Sequence, residues 1–520
     1  MGSKHKRSLF TVFCAGVLLL FCQEFARGAG VTIITHGFNG NVTDWIIPMA
    51  NRIPQYNLFP GSEFSCYEVT VGSDYSVTPS RIAGVSPIVS DSGEIVIKLD
   101  WSSLSVTFGN STSDIADAVV PKLLSTTFVP ELAGRSLTEF PIHLVGHSRG
   151  GSVVSEMARL LGQQGVWVDH VTTLDPHPVS FPYGDADVLL FENVLYADNY
   201  WQTNPDVSCP NGESILGAYN RFLGNLENGY SCNHSDVHLW YHGTIDWFDT
   251  PATDTQATIT SSERQTWWTN DEGQGAYAGF YYTLIGGGDR LSSDEPAGSG
   301  TEMIRDGYNK VWDFGAGSAA NRYALSLNNG AWPNVIRFNI TGTNRITAGE
   351  LTLLKLFYQY GATANQSVNL KLFLDRDFNP YNGNDQLMID LDYPSTGTNS
   401  VFFADLTLSS TNVLAGIYAA YAKMSGGGHT RYLYAPEVLM IDPNLEPPRF
   451  NQSLSMMQPD GRFQLSLSGA IGQKVIIQGS TNLTSWIPIS TNSFSTTNLV
   501  MVDIEAPSYK ARFYRAMLAQ

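Results

Sequence analysis

Between Pro141 and Gly151 the chain reads Pro-Ile-His-Leu-Val-Gly-His-Ser-Arg-Gly-Gly. No other stretch limits the possible folds as strongly. Ile142 to Val145 is an apolar run with the character of a buried strand. It ends in Gly146-His147-Ser148-Arg149-Gly150, a G-x-S-x-G pattern. After it Val153, Val154, Met157, Leu160 and Leu161 recur at helical spacing. A strand that turns directly into a helix through one serine leaves that serine at strained backbone angles. Gly146 and Gly150 lack the side chains that would collide with the neighbouring strand and helix. Ser148 is thereby expected to stand above a sheet with its hydroxyl exposed, at a helix N-terminus, as a candidate nucleophile.

The chain has 520 residues, too many for one ordinary core, so two or three domains are expected. Its net charge of −18 argues against nucleic acid as the main partner and against electrostatic docking on an anionic membrane. Lys4, Lys6 and Arg7 precede an apolar stretch from Leu9 to Cys22, and small residues follow at Ala26, Gly28 and Ala29. This pattern predicts a cleaved signal peptide over residues 1–29 and a secreted or periplasmic location. No later stretch is long and apolar enough to span a bilayer. Cys14 and Cys22 leave with the signal, and Cys66, Cys209 and Cys232 remain, enough for one disulfide and one free thiol.

Past the signal, strands alternate with helices. Val31 to Thr35 is a strand that runs into His36-Gly37-Phe38-Asn39-Gly40. A helix is expected from Trp45 to Ile53, strands from Ser65 to Val71 and Ile95 to Trp101, and a helix from Ile115 to Leu124. The alternation implies a mostly parallel sheet covered on both faces. Two carboxylates, Asp175 and Asp198, stand at strand ends, where ligands gather in such sheets. Between Cys209 and Cys232 the residues Ile215, Leu216, Tyr219, Phe222, Leu223 and Leu226 suggest an amphipathic helix. His234, His238 and His242 follow. Asn233 and Ser235 around His234 suggest a loop, whereas His238 and His242 fall in an apolar helical run.

A serine hydroxyl needs a base within hydrogen-bond reach, usually a histidine held by a carboxylate. Ser148, Asp175 and His234 follow the chain order serine, acid, histidine of the α/β-hydrolases. Over roughly residues 30–250 the sequence resembles the pancreatic-type lipases of that superfamily. The resemblance is carried by Thr35-His36-Gly37-Phe38 with Trp45, by Gly146 to Gly150, by Thr173-Leu174-Asp175-Pro176, and by Cys232-Asn233-His234 with Tyr241 and Ile245. It implies Asp175 rather than Asp198 as acid, His234 rather than His238 as base, and the N–H groups of Phe38 and Arg149 as oxyanion donors. It also implies a Cys209–Cys232 disulfide closing a lid before the histidine, and chemistry without a cofactor. Arg149 departs from the family, which has a small apolar residue there, and predicts a more polar pocket.

From about Trp267 the chain becomes strand-rich, with aromatic Thr266 to Thr269 and Ala276 to Leu284, and then a Gly/Ser-rich linker over 286–300. Residues 301–443 carry alternating runs at Tyr323 to Leu327, Val335 to Ile340, Val368 to Leu374, Val401 to Leu406 and Tyr432 to Tyr434, which predict an antiparallel β-sandwich. Within it, Asp375 to Asp385 places oxygen-bearing side chains at alternate positions, a pattern open to a structural Ca²⁺ or to a loop of Asx-turns. After a proline-rich linker, residues 449–520 read as a small all-β unit.

The expectation is an α/β-hydrolase domain over 30–300 that cleaves a lipid or small ester, followed by two β-domains. Two alternatives belong to it: a phospholipase or an esterase acting on polysaccharide or polyester, and a secreted binding or adhesion protein with a vestigial hydrolase domain.

Overall fold

The computed structural model describes residues 30–53, 64–86, 94–203, 209–224, 226, 229–245, 279–282, 322–325, 332–361, 366–397, 400–443 and 447–519. The expected signal peptide, the 286–300 linker and residues 266–269 lie outside the described residues.

The first unit is built on β1 (Val31–Thr35), α1 (Ile46–Arg52), β2 (Phe64–Val71), β3 (Val77–Gly84), β4 (Glu94–Asp100), α2 (Thr112–Leu124), β5 (Ile142–His147), α3 (Arg149–Gln163), β6 (Val168–Leu174), the one-turn α4 (Ser180–Tyr183), β7 (Val194–Trp201), β8 (Tyr219–Phe222) and α5 (Asn233–Ile245). The eight strands form one sheet in the order β3-β2-β4-β1-β5-β6-β7-β8. Every pairing is parallel except β2 with β3. The edge hairpin strand β3 had no counterpart in the sequence reading.

β1, β5 and β6 are buried along their whole length, as expected of strands covered on both faces. Alternate residues feed two cores. Ile33 and Leu144 pack with Ile115, Val119, Val153 and Met157 beneath α2 and α3. Ile34 and Val145 pack on the opposite face with Met49, Val237 and Trp240 from α1 and α5. The N-terminus of α2 is set by a capping box in which Ser111 and Asp114 satisfy each other's backbone N–H groups.

The second unit pairs a five-stranded sheet with a three-stranded one. The strands are β9 (Pro333–Ile340), β10 (Arg345–Thr347), β11 (Leu351–Tyr360), β12 (Ser367–Asp375), β13 (Gln386–Pro394), β14 (Phe402–Ser409), β15 (Gly416–Gly426) and β16 (His429–Asp442). Their orders are β10-β16-β15-β12-β13 and β14-β11-β9. The pairing is antiparallel except that β10 runs parallel to β16. The third unit carries β17 (Arg449–Phe450), β18 (Met456–Met457), β19 (Phe463–Ser468), β20 (Lys474–Ser480), β21 (Ile487–Ser493), β22 (Asn498–Asp503) and β23 (Phe513–Leu518), with its own small core around Leu465, Leu467, Val475, Ile477 and Phe494.

The sandwich is joined to the first unit by a shared interior. Ala419, Tyr421, Tyr432, Tyr434, Val438 and Phe378 belong to the same apolar cluster as Val31, Ile142 and Val168. Arg431, buried in β16, donates to the carbonyls of Trp167 (2.6 Å) and Phe140 (3.2 Å) and to Asp169 (3.1 Å). Asn334 accepts the N–H of Trp167 (3.0 Å) and donates to the carbonyl of Gly165 (2.9 Å). All of these lie where β5 and β6 begin. Residues 322–325, expected in the sandwich, lie against the first unit instead: Tyr323 forms a parallel bridge with Phe191. The aromatic stretch from Ala276 to Leu284 forms, in its described part, a 3-10 turn over Gly279–Tyr282.

Candidate active site

Ser148, Asp175 and Gln202 each follow the C-terminal end of a parallel strand, β5, β6 and β7 respectively. Ser148 has φ 58° and ψ −126°, a region that ordinary residues avoid. The turn is tight enough that a Cβ on Gly146 would approach the carbonyl oxygen of Gly150 to 2.1 Å, so glycine is required there. Asp175 also has positive φ, 46°, which aspartate tolerates better than most side chains.

The Nδ1–H of His234 donates to Oδ2 of Asp175 at 2.5 Å. Asp175 is fully buried. Its other contacts hold it in one orientation: Oδ1 accepts the N–H groups of Gln202 (2.9 Å) and Gly212 (3.1 Å), and Oδ2 accepts Nε2 of Gln202 (2.7 Å). A carboxylate in this many charge-assisted hydrogen bonds is satisfied without water. Gly212 has a steric reason as well, since a Cβ there would come within 2.2 Å of Oδ1. Gln202 and Gly212 were not singled out from the sequence; they reach Asp175 across 27 and 37 residues of chain.

His234 sits in the first turn of α5 rather than in a loop. The neighbouring Asn, Ser and Asp residues start this helix instead of breaking it. His147 donates from Nε2 to the carbonyl oxygen of His234 at 2.8 Å. Burial, and then the proximity of His234, push the pKa of His147 well below the ordinary histidine range. His238 is likewise held neutral by burial and by His147, and stacks on Trp45 at 4.4 Å. The two neutral rings wall the cleft without adding charge.

Ser148, His234, His147, His238, Trp45, Gly37 and Phe38 line one cleft of about 420 Å³. Phe38, in this lining, is 50% exposed, and Phe108, 72% exposed, reaches it through Tyr183. Phe38 and Phe108 both pack against Tyr183, at 5.6 and 5.4 Å between ring centroids.

The structure separates the alternatives left by sequence order. Asp198 points into the sheet, where it accepts from Thr172 (2.5 Å) and Tyr200 (2.8 Å) and meets His170 Nε2 at 2.8 Å. Burial pushes its pKa up to about 6 despite those hydrogen bonds. It is far from being a partner of His234 in this arrangement, whereas Asp175 touches that ring directly.

Two expectations are corrected. The segment between Cys209 and Cys232 does form a disulfide-closed loop, but its described residues contain no amphipathic helix. Tyr219–Phe222 is instead β8, the parallel edge strand beside β7, so Tyr219 and Leu223 are buried for sheet packing. Over so short an apolar run, alternation of period two, seen here as buried Tyr219 and Arg221 against exposed Asn220 and Phe222, also satisfies helical spacing. Arg149 does not make the pocket polar. Its side chain turns away from the cleft and is completely buried, bound to Asp185.

The Asp375 to Asp385 loop is closed by its own groups. Asp375, Asp377 and Asn379 each accept the backbone N–H two residues on. Asp375 also accepts from Tyr434 and Asp385 from Tyr421. Asp377 Oδ2 faces the amides of Asn382 and Asn384 at 2.7 and 2.6 Å. No cluster of three or more His, Cys, Asp or Glu suited to a metal occurs among the described residues. No helix among the described residues is long and apolar enough to cross a membrane.

No protein-family model matches the chain, and no curated protein matches it. Solved structures similar in part include a candidate cell surface hydrolase from Lactobacillus plantarum, 13% identical, covering 46% of this chain and 97% of that one with a TM-score of 0.26. A second is the lin2722 gene product of Listeria innocua, 13% identical, covering 44% of this chain and 97% of that one with a TM-score of 0.28. A third is the CARDB domain of a Pyrococcus furiosus protein in complex with di-metal ions, 8% identical, covering 23% of this chain and all of that one with a TM-score of 0.16. At these TM-scores the likenesses carry no argument about activity.

Proposed function

We propose that the protein is a serine hydrolase that cleaves carboxyl esters through an acyl-enzyme. The observation that carries this reading is the 2.5 Å contact from His234 Nδ1 to the buried Asp175, on a histidine that shares its cleft with a serine at a strained strand-to-helix turn. That is the constellation an acyl-transfer nucleophile needs.

In the proposed mechanism Ser148 Oγ forms a bond to the ester carbonyl carbon while its proton passes to His234 Nε2. The carbonyl electron pair moves onto oxygen, which the N–H groups of Phe38 and Arg149 stabilise as it becomes an oxyanion. The pair then returns, the bond to the alcohol oxygen breaks, and the proton on Nε2 leaves with that alcohol. Water repeats the sequence on the acyl-serine, releasing the acid and restoring Ser148. Asp175 fixes the tautomer of His234 and stabilises the imidazolium without taking a proton. The half-exposed Phe38 in the cleft suits an apolar acyl group or a lipid, whether triacylglycerol, phospholipid or polyester. The basic head and apolar stretch at the N-terminus support a secreted or periplasmic enzyme.

The test is turnover of p-nitrophenyl esters from acetate to palmitate, with covalent labelling by a fluorophosphonate probe. The wild-type chain is expected to label at one serine and to release p-nitrophenol. Ser148→Ala is expected to lose both, with turnover falling by about 10⁴-fold or more. A wild-type protein that neither labels nor turns over any member of the series would sink the reading in favour of a binding protein with a vestigial hydrolase fold.

A further inference from the structure

We infer that Asp185 is a positioning residue for ester hydrolysis: by gripping the guanidinium of Arg149 with both carboxylate oxygens, it sets where the backbone N–H of Arg149 stands beside Ser148. This rests on the proposed acyl-transfer reading and deepens it.

The first reason is that an arginine is the wrong charge for its position. Arg149 is the first residue of α3, and no acidic residue lies in that first turn. The N-terminus of a helix carries partial positive charge, so a cation there is unfavourable unless something compensates it. Asp185, remote in sequence, supplies the compensation. Arg149 Nε donates to Asp185 Oδ2 at 2.6 Å, and Nη2 donates to Oδ1 at 2.6 Å.

The second reason is rigidity. Arg149 Nη1 donates to the carbonyl of Ser105 at 2.6 Å and Nη2 to that of Asn110 at 3.0 Å. The guanidinium lies between the rings of Trp101 and Tyr183, at 5.1 and 4.3 Å from their centroids. Both side chains of the pair are completely buried, so water cannot replace a lost contact.

The third reason is what Asp185 ties together. Its oxygens also accept the N–H of Thr112, the first residue of α2 (3.2 Å), and of Val179, just before α4 (2.9 Å). One carboxylate therefore joins α2, the α4 turn and the residue after the nucleophile. Held at its guanidinium end by these hydrogen bonds, the Arg149 side chain tethers the backbone that carries the proposed oxyanion donor. A donor shifted by a fraction of an ångström loses most where charge develops, in the transition state.

The experiment uses the full chain and three variants: Asp185→Asn, Arg149→Lys, and the double variant Arg149→Met/Asp185→Asn. The double variant leaves no buried lone charge, so it keeps the test decisive where a single change unfolds the protein. Turnover is expressed per fluorophosphonate-labelled serine, which counts only folded sites. KM for p-nitrophenyl butyrate is expected to change less than about twofold, while kcat falls about tenfold to a hundredfold, a part of the 10²–10³ that deleting an oxyanion donor costs. The rate ratio between an oxo ester and its thiono analogue is a second readout. Sulfur is a poor acceptor in an oxyanion hole, so a displaced donor shrinks that ratio, and lost stability alone leaves it unchanged. A double variant with wild-type kcat per labelled serine and an unchanged oxo-to-thiono ratio overturns the inference and makes the ion pair merely structural. A wild-type chain that fails to label or turn over would fail the underlying reading first, a result distinct from either.

Discussion

Arg149 and Arg431 are both buried guanidinium groups packed against the first unit's sheet, one at each end of the parallel strands. They differ in what they hold. Arg149 stands at the C-terminal end of β5, beside Ser148, and binds both oxygens of Asp185, which also accepts the N–H groups of Thr112 and Val179. Arg431 comes from the sandwich to the N-terminal ends of β5 and β6, where it bonds carbonyls of Phe140 and Trp167 and shares Asp169 with the N–H of Ile142. Six residues of β5 put about 20 Å between the two. The comparison teaches that the described contacts of the sandwich fall at the pole opposite the cleft. The proposed chemistry and the described domain attachment would then lie at separate ends of one sheet.

That separation can be broken or sharpened by experiment. The largest effect is expected at the catalytic pole. Asp175→Asn should lower kcat by about 10³–10⁴-fold, because the amide favours the wrong tautomer of His234, while denaturant unfolding shows a far smaller loss. A modest kcat effect would move the acid role away from Asp175.

At the other pole the balance should invert. Arg431→Met leaves Asp169 buried without its cation, which is expected to cost about 3–5 kcal/mol of stability. Turnover per labelled serine should stay within about twofold of wild type. A proportionate fall in kcat would show that the sandwich communicates with the cleft through β5 and β6.

A third effect, read as a slope with pH, lies in α5 beside the cleft. Asp236 is buried two residues from His234 and accepts the N–H of Tyr230 at 2.6 Å. Burial pushes its pKa up to about 8, against an unfolded value of about 4. Between those values the folded chain holds a proton that the unfolded chain has released, so stability from this group falls as pH rises from about 4 to about 8 and levels off above that. Asp236→Asn should keep the bond to Tyr230 and remove the slope. Melting temperatures across pH 4 to 9 check this. The variant should gain on wild type as pH rises to about 8, and parallel curves would discard the assignment.

Much of the site could be read in the linear chain because its determinants are local. A strand, a glycine-flanked serine and a helix follow one another within about twenty residues, and their sterics dictate the turn. Order and motif nominate Ser148, Asp175 and His234, which the structure places at the ends of two neighbouring strands and the start of one helix. The errors arose where local signals are degenerate. A four-residue edge strand such as Tyr219–Phe222 resembles helical spacing until β7 is beside it. Asn233 and Ser235 suit a helix start as well as a loop.

Spacing along the chain determined which residues could take the roles of nucleophile, acid and base. Only the tertiary structure decided which carboxylate reaches His234, that Gln202 and Gly212 hold that carboxylate, and that Arg149 faces Asp185 instead of the cleft. Each of these contacts joins residues 27 to 59 positions apart. The direction of a buried charge depends on where its partner is folded to, because desolvation forbids it any other place. That information resides in the packing of β6, β7 and the loops beyond them.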